Sequence, residues 1–198
     1  FADQAVIAIQ NARLFNETKE ALERQTATAE VLKVISESPT DVQPVFDTIV
    51  AAAMKLCGAS SVNAFTFDGE LIHLAAISNL TTEGAEAIRR LWPRPPGREM
   101  AASRAVLTCS TVAIPDVLED SDFMPRASAV TRNFRSILAV PLVREGSPIG
   151  AIVVGRPEPG PFPDEQVRLM QTFADQAVIA IENVRLFKAL EARNADLT

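Results

Sequence analysis

A fifteen-residue segment occurs twice in this chain, and the repetition constrains the fold more than any other feature. FADQAVIAIQNARLF occupies positions 1–15 and FADQAVIAIENVRLF occupies positions 173–187, so the copies lie 172 positions apart and agree at 13 of 15 sites. A repeat at this spacing is typical of a tandem array, in which the helix leaving one domain becomes the helix entering the next. We therefore expect one repeat of a larger protein, with a connecting helix at each end.

The placement of proline and glycine supports this division. Neither residue occurs before Pro39 or after Pro163, and both residues disfavour helix interiors. The sequence therefore predicts a connecting helix over residues 1–38, a globular core over 39–163 and a second connecting helix over 164–198.

The two predicted connecting helices carry residues at the three- and four-residue spacing of a coiled-coil seam. The seam positions are Ala5, Ala8, Ala12, Phe15 and Leu22 in the first helix and Ala177, Ala180, Val184 and Phe187 in the second. We expect a homodimer through these helices, with neighbouring domains of the full-length chain before and after this one.

The core alternates between predicted helices and strands. Two β-hairpins are predicted, one joining residues 61–67 to 70–77 through Asp68-Gly69 and one joining 136–143 to 148–154 through Glu145-Gly146. Helices are predicted over 41–58, with Asp41 as the N-cap, from Thr81 or Thr82 to Leu91, over 103–107 and over 122–133. A further strand is predicted over 111–114.

The composition of the chain argues against two kinds of binding partner. The net charge is −6 and the pI about 4.9, without a long basic run, which argues against nucleic acid and anionic membranes. The longest apolar run, 137–143, includes Pro141 and is far shorter than the roughly 20 residues of a membrane span. Cys57 and Cys109 lack metal-site spacing, so we expect a reduced, cytoplasmic setting without direct membrane contact.

Three segments resemble a GAF domain, and together the resemblance covers about residues 30–187. FRSILAVPLVREGSPIGAIVVG at 134–155 resembles the closing hairpin of that family, RAVLTCSTVAIPDV at 104–117 its middle segment and FPDEQVRLMQTFADQA at 162–177 its last helix. The connecting helices resemble those of bacterial multi-GAF sensor histidine kinases, with nucleotide cyclases as a second context. The resemblance implies an α+β fold with a central, mostly antiparallel sheet of about six strands, helices on both sides and long terminal helices.

The ligand of such a domain is not identified by the sequence. Bilin attachment would need a pocket cysteine beside a histidine, which neither Cys57 nor Cys109 has. The Asn-Lys…Phe…Asp-Glu pattern of cyclic-nucleotide-binding relatives is absent, because Asn133-Phe134-Arg135 is not followed by Asp-Glu. The cysteine set of GAF-type methionine sulfoxide reductases is also unmatched, and Cys57 is predicted to be a core residue.

His73 is the only histidine. A two-residue turn would pair it with Ala64 and send Phe65, Phe67, Ile72 and Leu74 to the other face of the hairpin. It could ligate haem iron through a single axial bond, but we favour a hydrogen-bonded histidine beneath a helix.

Trp92, Arg94 and Arg98 flank a proline-rich stretch where GAF pockets carry a lid. With Arg104 and Arg135, they could receive a planar or anionic ligand through stacking and bidentate contacts. Asp116 is predicted to stabilise a turn by accepting backbone N–H groups.

Catalysis is not indicated. The sequence has no phosphate-binding glycine loop, no Ser/His or His/Cys pair and no metal-ligand cluster. We therefore expect a non-catalytic module that senses a small molecule. The alternatives are a ligand-free dimerisation spacer and the GAF module of a nucleotide cyclase.

Overall fold

The structure is a computed structural model that describes residues 2–78, 82–124, 126, 129 and 132–195. In chain order its elements are α1 (Ala2–Glu37), α2 (Gln43–Leu56), β1 (Ser61–Phe67), β2 (Ile72–Ile77), α3 (Thr82–Arg89), α4 (Ala101–Thr108), β3 (Val112–Ile114), β4 (Ser136–Arg144), β5 (Ser147–Arg156) and α5 (Asp164–Ala195). The predicted α+β class with long terminal helices is confirmed. Thr81 and part of the helix predicted over 122–133 lie outside the described residues.

The described strands form one antiparallel sheet in the order β2-β1-β5-β4-β3. About six strands were expected, and five are found in the described ranges. A single bridge extends the edge beyond β2, where Ile72 and Arg94 exchange two backbone hydrogen bonds of 2.8 and 3.1 Å. The segment after α3 therefore contributes one paired residue where a sixth strand was expected.

The second hairpin turns at Glu145-Gly146, as predicted, and each strand extends one residue closer to the turn than predicted. Glu145 and Gly146 connect β4 to β5, and Arg144 pairs with Ser147. Both turn residues have positive φ, 49° and 79°, as a type I′ turn requires.

The first hairpin differs from its prediction in register. β2 begins at Ile72, so four residues rather than two separate the strands, and His73 lies opposite Thr66 instead of Ala64. Asp68 is the physical reason, because its Oδ1 accepts the N–H groups of Glu70 and Leu71 and closes a longer turn. A bulge between Ala64 and Phe65 shifts the remaining pairs.

Despite that shift, the hairpin sends its large residues to the predicted face. Phe65 and Ile72 are buried in the core beneath α3 and α4, with Phe67 and Leu74 packed against it. The longer turn moves the partner of His73 by two residues, from Ala64 to Thr66, and a two-residue shift leaves each side chain on its original face.

The sheet separates two apolar cores. Successive residues of a strand point to opposite faces, so in β4 Leu138 and Leu142 face α1, α2 and α5 while Ile137 faces α3 and α4. The larger core, under the long helices, contains Phe46, Ile49, Met170 and Phe173 among its buried side chains.

Helix α2 presents one apolar face to this core, with Val45, Phe46, Ile49, Val50 and Ala53 buried. Its N-terminus differs by one residue from the prediction. The cap position is Val42, and Asp41 lies one residue earlier, where its Oδ1 accepts the Gln43 N–H at 2.9 Å. The predicted carboxylate therefore still receives a backbone N–H of the first turn.

The two copies of the repeated segment lie in opposite environments. Residues 4–22 of α1 are all exposed, and α1 first becomes buried at Val31. In α5, Phe173, Ala177 and Ala180 are 0–3% exposed in the core. The Gln176 side chain also donates a 3.3 Å hydrogen bond to the Thr28 carbonyl of α1.

Candidate functional site

A cavity of about 60 Å³ lies on the sheet face that α3 and α4 cover. β1, β4 and β5 form its floor, and the start of α4 and the segments after α3 and before β4 form its walls. Its apolar lining includes Phe65, Trp92, Met100, Phe123, Phe134 and Val153. A wider groove of about 670 Å³ runs between α1 and α2, and its lining includes the charged side chains of Glu23, Glu30, Asp47 and Lys55. The smaller cavity is the better candidate, because ligand sites are mostly apolar with few polar groups.

An aromatic pair forms one wall. Phe65 comes from β1, Trp92 follows α3, and their ring centroids are 4.5 Å apart at an interplanar angle of 48°. Trp92 is 9% exposed and is the predicted pocket residue that lines the cavity. This wall offers a flat apolar contact surface to a small ligand.

Arg132 forms the polar wall, with Asn63 of β1 beside it. Its Nη2 donates to the Ser61 hydroxyl and, at 3.2 Å, to the Asn63 side-chain oxygen. Its guanidinium carbon lies 5.4 Å from the centroid of Phe134. Among the described residues its Nε is buried without a hydrogen-bond partner.

Burial lowers the pKa of Arg132 from its ordinary value to about 10, because removal from water disfavours the charged form. The group is still a cation at neutral pH. No described carboxylate forms an ion pair with it. The cavity therefore contains a positive charge whose counter-ion is not found in the described part of the chain.

The sequence prediction missed both polar residues. Asn63 gave a usable signal, since it is a polar residue in a strand otherwise rich in apolar residues. Arg132 gave a weaker signal. No residue three or four positions before or after it is acidic, so an ion-pair partner would have to come from a more distant part of the chain.

Two of the predicted arginines are paired with aspartates beside the cavity. Arg104 forms a bidentate pair with Asp120, with both N···O distances 2.7 Å, and this pairing lowers the pKa of Asp120. Arg98 lies 3.0 Å from an oxygen of Asp122. These ion pairs occupy both guanidinium groups and fasten the loop after β3 to the start of α4.

Arg135 and Arg94 are placed similarly. Arg135 forms a bidentate pair with Asp116, whose pKa it lowers. Asp116 also accepts the Leu118 N–H at 3.0 Å, as predicted for a turn. Arg94 lies with its guanidinium 6.0 Å from the Trp92 ring and 3.7 Å from Glu99. Neither arginine lines the cavity, although Arg94 supports its aromatic wall.

His73 lies on β2, outside the cavity. Its Nε2 is 2.7 Å from Oδ2 of Asp68, and both side chains are about half exposed. The backbone N–H of Leu71, this histidine and the N–H of Glu70 lower the pKa of Asp68 to about 2. His73 is thus hydrogen-bonded, as favoured, but to a hairpin carboxylate rather than beneath a helix.

The two cysteines lie on different elements and neither lines the cavity. Cys57, at the end of α2, is 2% exposed in the core, as predicted, and burial raises its pKa to about 11. Cys109 ends α4 in a left-handed conformation, and its Sγ lies 3.7 Å from the Gly146 carbonyl. Within the described ranges, no group of three or more His, Cys, Asp and Glu side chains could hold a metal ion.

The predicted seam residues separate into two groups. Ala5, Ala8, Ala12, Phe15 and Leu22 of α1 are exposed. In α5, Ala177, Ala180 and Val184 are 0–9% exposed in this single chain, and Phe187 is partly buried. Ala177, Ala180 and Val184 face their own domain, so a partner helix would have to contact the opposite side of α5.

Across the described residues, no helix combines the length and hydropathy of a membrane span.

Comparison with known proteins identifies the fold. The GAF domain family model matches residues 39–182. The GAF domain of a phosphoenolpyruvate-protein phosphotransferase from Coxiella burnetii has a TM-score of 0.72 at 15% identity, with 85% of this chain and 98% of that chain covered.

Two further solved structures are similar. A domain of a putative two-component sensor histidine kinase from Sinorhizobium meliloti has a TM-score of 0.59 at 17% identity, covering 76% of this chain and 97% of that one. The free methionine-R-sulfoxide reductase from Neisseria meningitidis, solved with its substrate, has a TM-score of 0.67 at 21% identity, covering 85% and 93%. At these identities the likeness shows the fold alone.

Proposed function

The chain belongs to the GAF domain family, and we propose that it is a non-catalytic sensor module that binds a small molecule in the cavity and relays occupancy through its terminal helices. We place it in the cytoplasm, within a sensor histidine kinase, between an adjacent GAF domain and an output domain. The function supported by the family is that of a GAF sensor domain. The kinase context is our proposal, supported by the resemblance of the connecting helices.

One observation carries this proposal: the cavity and the C-terminal helix share the same two strands. In β4, Ile137 lines the cavity while its neighbour Leu138 is in the core with α5. β5 repeats the arrangement with Val153 and Val154. A ligand that displaces the cavity side of these strands would also displace the helix side, because packed cores transmit strain.

The outer face of α5 supports the relay to a second copy. Ile179, Leu186 and Leu190 are 49–59% exposed, and with Asn183 they follow the alternating four- and three-residue spacing of a coiled-coil seam. A single Asn at such a seam favours one register of a parallel dimer. We therefore assign the homodimer contact to this outer face, while Ala177, Ala180 and Val184 hold α5 on its own sheet.

The N-terminal copy supports the tandem array. Ala5, Ala8 and Ala12 correspond, 172 positions earlier, to the buried Ala177, Ala180 and Val184. Residues 4–15 of α1 therefore repeat a sequence that packs in a core, yet they are exposed in this chain. The described part of the chain offers them no surface to pack on. We propose that residues 1–15 pack on the sheet of a preceding GAF domain, as residues 173–187 pack on this one.

Non-catalytic status is supported by the chemistry around the cavity. A thiol-dependent reductase needs an accessible thiolate near its substrate. Cys57 is buried with a raised pKa, and neither thiol lines the cavity.

A thermal-shift screen of small metabolites against the 198-residue chain tests the sensor role. A ligand at 100 times its Kd stabilises by about 2.7 kcal/mol, which raises the Tm of a domain this size by about 5–10 °C. Ala102 lines the cavity and is 3% exposed, so Ala102→Leu should fill the space and abolish the shift. No stabilisation by any compound would favour the ligand-free spacer, and a shift that Ala102→Leu retains would place binding elsewhere.

A further inference from the structure

Building on the proposed sensor function, we propose that the cavity beside Arg132 binds one small, weakly hydrated monovalent anion of the size of a halide ion. The proposal names the chemical class of the ligand and the groups that receive it. It rests on three features that meet at this cavity: a buried cation, an uncapped helix N-terminus and a small volume.

The first feature is the charge of Arg132. Its described hydrogen-bond acceptors are neutral, namely the Ser61 hydroxyl and the side-chain oxygen of Asn63. Burial lowers its pKa, and no described carboxylate raises it again. A buried cation without a counter-ion is unfavourable, because the interior compensates its lost hydration poorly. An anion in the cavity would supply the missing charge and stabilise the folded domain.

The geometry of the guanidinium group determines the shape of that anion. Nη2 already donates to β1, and the ring of Phe134 lies over the group, 5.4 Å from its central carbon. Nε remains as a buried donor without a described partner. A carboxylate is bound through two parallel N–H donors, which Nε alone cannot provide. A halide ion is spherical and accepts a single N–H from any direction, so it suits this donor.

The second feature is the start of α4. Met100, Ala101 and Ala102 line the cavity, and the helix has no side-chain cap. Its first backbone hydrogen bond runs from the Arg104 N–H to the Met100 carbonyl, so the N–H groups of Ala101, Ala102 and Ser103 have no partner within the helix. These residues are 0–3% exposed. Free N–H groups at a helix N-terminus favour a negative charge, as Arg132 does.

The third feature is size. A cavity of about 150 Å³ holds one benzene ring, whereas this cavity has about 60 Å³. It therefore excludes a ring and admits an ion or molecule of about one to three heavy atoms. Its lining is largely apolar and aromatic. Entry consequently favours anions that lose little hydration energy, such as bromide and iodide, over strongly hydrated fluoride and sulfate.

Trp92 provides a direct readout, since it is the only tryptophan, tyrosine is absent and its side chain lines the cavity. We would titrate the 198-residue chain with sodium bromide and sodium iodide, holding ionic strength constant with sodium fluoride, because heavy halides quench indole emission on contact. Trp92 is 9% exposed, so collisional quenching should be weak and linear in concentration. The expected result is an additional saturable phase, which sodium chloride, a non-quencher, shifts to higher bromide concentrations.

Three variants locate the ion. Arg132→Met should weaken bromide binding at least tenfold, and Ala102→Leu, which fills the cavity, should abolish the saturable phase. Asn63→Asp would place a carboxylate 3.2 Å from Nη2, so it should raise the Tm of the anion-free protein and also abolish that phase. A residue with a merely structural role would not show this pair of changes. The exposed Arg168 of α5 provides the control Arg168→Met, which should be quenched like the unaltered chain.

The outcomes distinguish this proposal from the sensor function on which it rests. Quenching that is linear throughout in the unaltered chain would overturn the anion site. A saturable phase that persists in both Arg132→Met and Asn63→Asp would overturn the role of Arg132, and one that persists in Ala102→Leu would place the ion outside the cavity. The sensor function fails only if the metabolite screen is also empty.

Discussion

Val153 and Val154 are consecutive residues of β5, yet the first lines the cavity and the second lies in the core with the C-terminal helix. Their side chains are 8% and 0% exposed, so both are buried on opposite faces of one strand. This strand therefore connects the candidate ligand site with the core that contains α5.

Alanine substitutions should separate the two faces. Val154→Ala removes fully packed methyl groups and should lower the free energy of unfolding by about 2 kcal/mol. Val153→Ala removes methyl groups that border a cavity, so it should cost about 1 kcal/mol but change the affinity for a ligand found in the metabolite screen. Urea unfolding and Trp92 titration measure the two effects. Equal effects of the two variants on affinity would contradict the assignment of faces.

The repeated segment provides a matched pair of phenylalanines. Phe173→Ala, at a side chain that is 0% exposed, should destabilise the chain by about 3–5 kcal/mol. Phe15→Ala, at a side chain that is 70% exposed, should change stability by less than about 0.5 kcal/mol. Urea denaturation gives both values. A large loss on Phe15→Ala would show that residues 1–15 pack within this chain.

The outer face of α5 should set the oligomeric state. Leu186→Glu places a charge in the proposed seam and should weaken dimerisation at least tenfold, measured by sedimentation equilibrium. Ala192→Glu adds the same charge to an exposed position outside that seam and serves as the control. If the chain is monomeric at all concentrations measured, or if Leu186→Glu leaves the dimer unchanged, the outer face of α5 is not the dimer contact.

The Arg104–Asp120 pair predicts a pH dependence. Arg104 holds the pKa of Asp120 below its ordinary value, so the carboxylate contributes stability above the unfolded pKa of about 3.9. That contribution is lost as the pH falls through the lower folded pKa. Asp120→Asn should therefore cost about 1–2 kcal/mol at pH 7, and the difference should narrow below about pH 4. A difference that is constant between pH 3 and pH 7 would contradict the ion-pair account.

The two thiols should react at different rates. The Cys57 thiol is buried and its pKa is raised to about 11, so little thiolate exists at pH 8 and reagents have no access. Cys109 is partly exposed and should give the fast phase with a disulfide reagent. Cys109→Ser should remove that phase, and denaturant should restore a second thiol. Rapid labelling of Cys57 in the folded protein would contradict its burial.

Local sequence signals predicted helices, strands and turns well where one kind of interaction determines the local structure. The position of the Glu145-Gly146 turn was predictable because segments rich in β-branched residues lie on both sides of it. At Asp68-Gly69 the same reasoning failed, since the Asp68 carboxylate accepts two backbone N–H groups and lengthens the turn. Competing local hydrogen bonds of this kind are not visible as a hydrophobic pattern.

The candidate site was less predictable. Trp92 was identified from its position near a proline-rich stretch, but Arg98 and Arg104 looked equally suitable until their aspartate partners were located in space. Arg132 was missed because its importance comes from what surrounds it. Burial and the absence of a described counter-ion are tertiary properties that arise only when β1 and the segment before β4 come together.

The ion pair between Arg144 and Glu182, 2.7 Å long, ties the end of β4 to α5, and the corresponding position in the N-terminal copy is Gln10. An amide can accept a hydrogen bond there but cannot form the charged contact. In the proposed array, successive junctions would then respond differently to ionic strength, because dissolved salt screens the charged contact and leaves an amide contact almost unchanged.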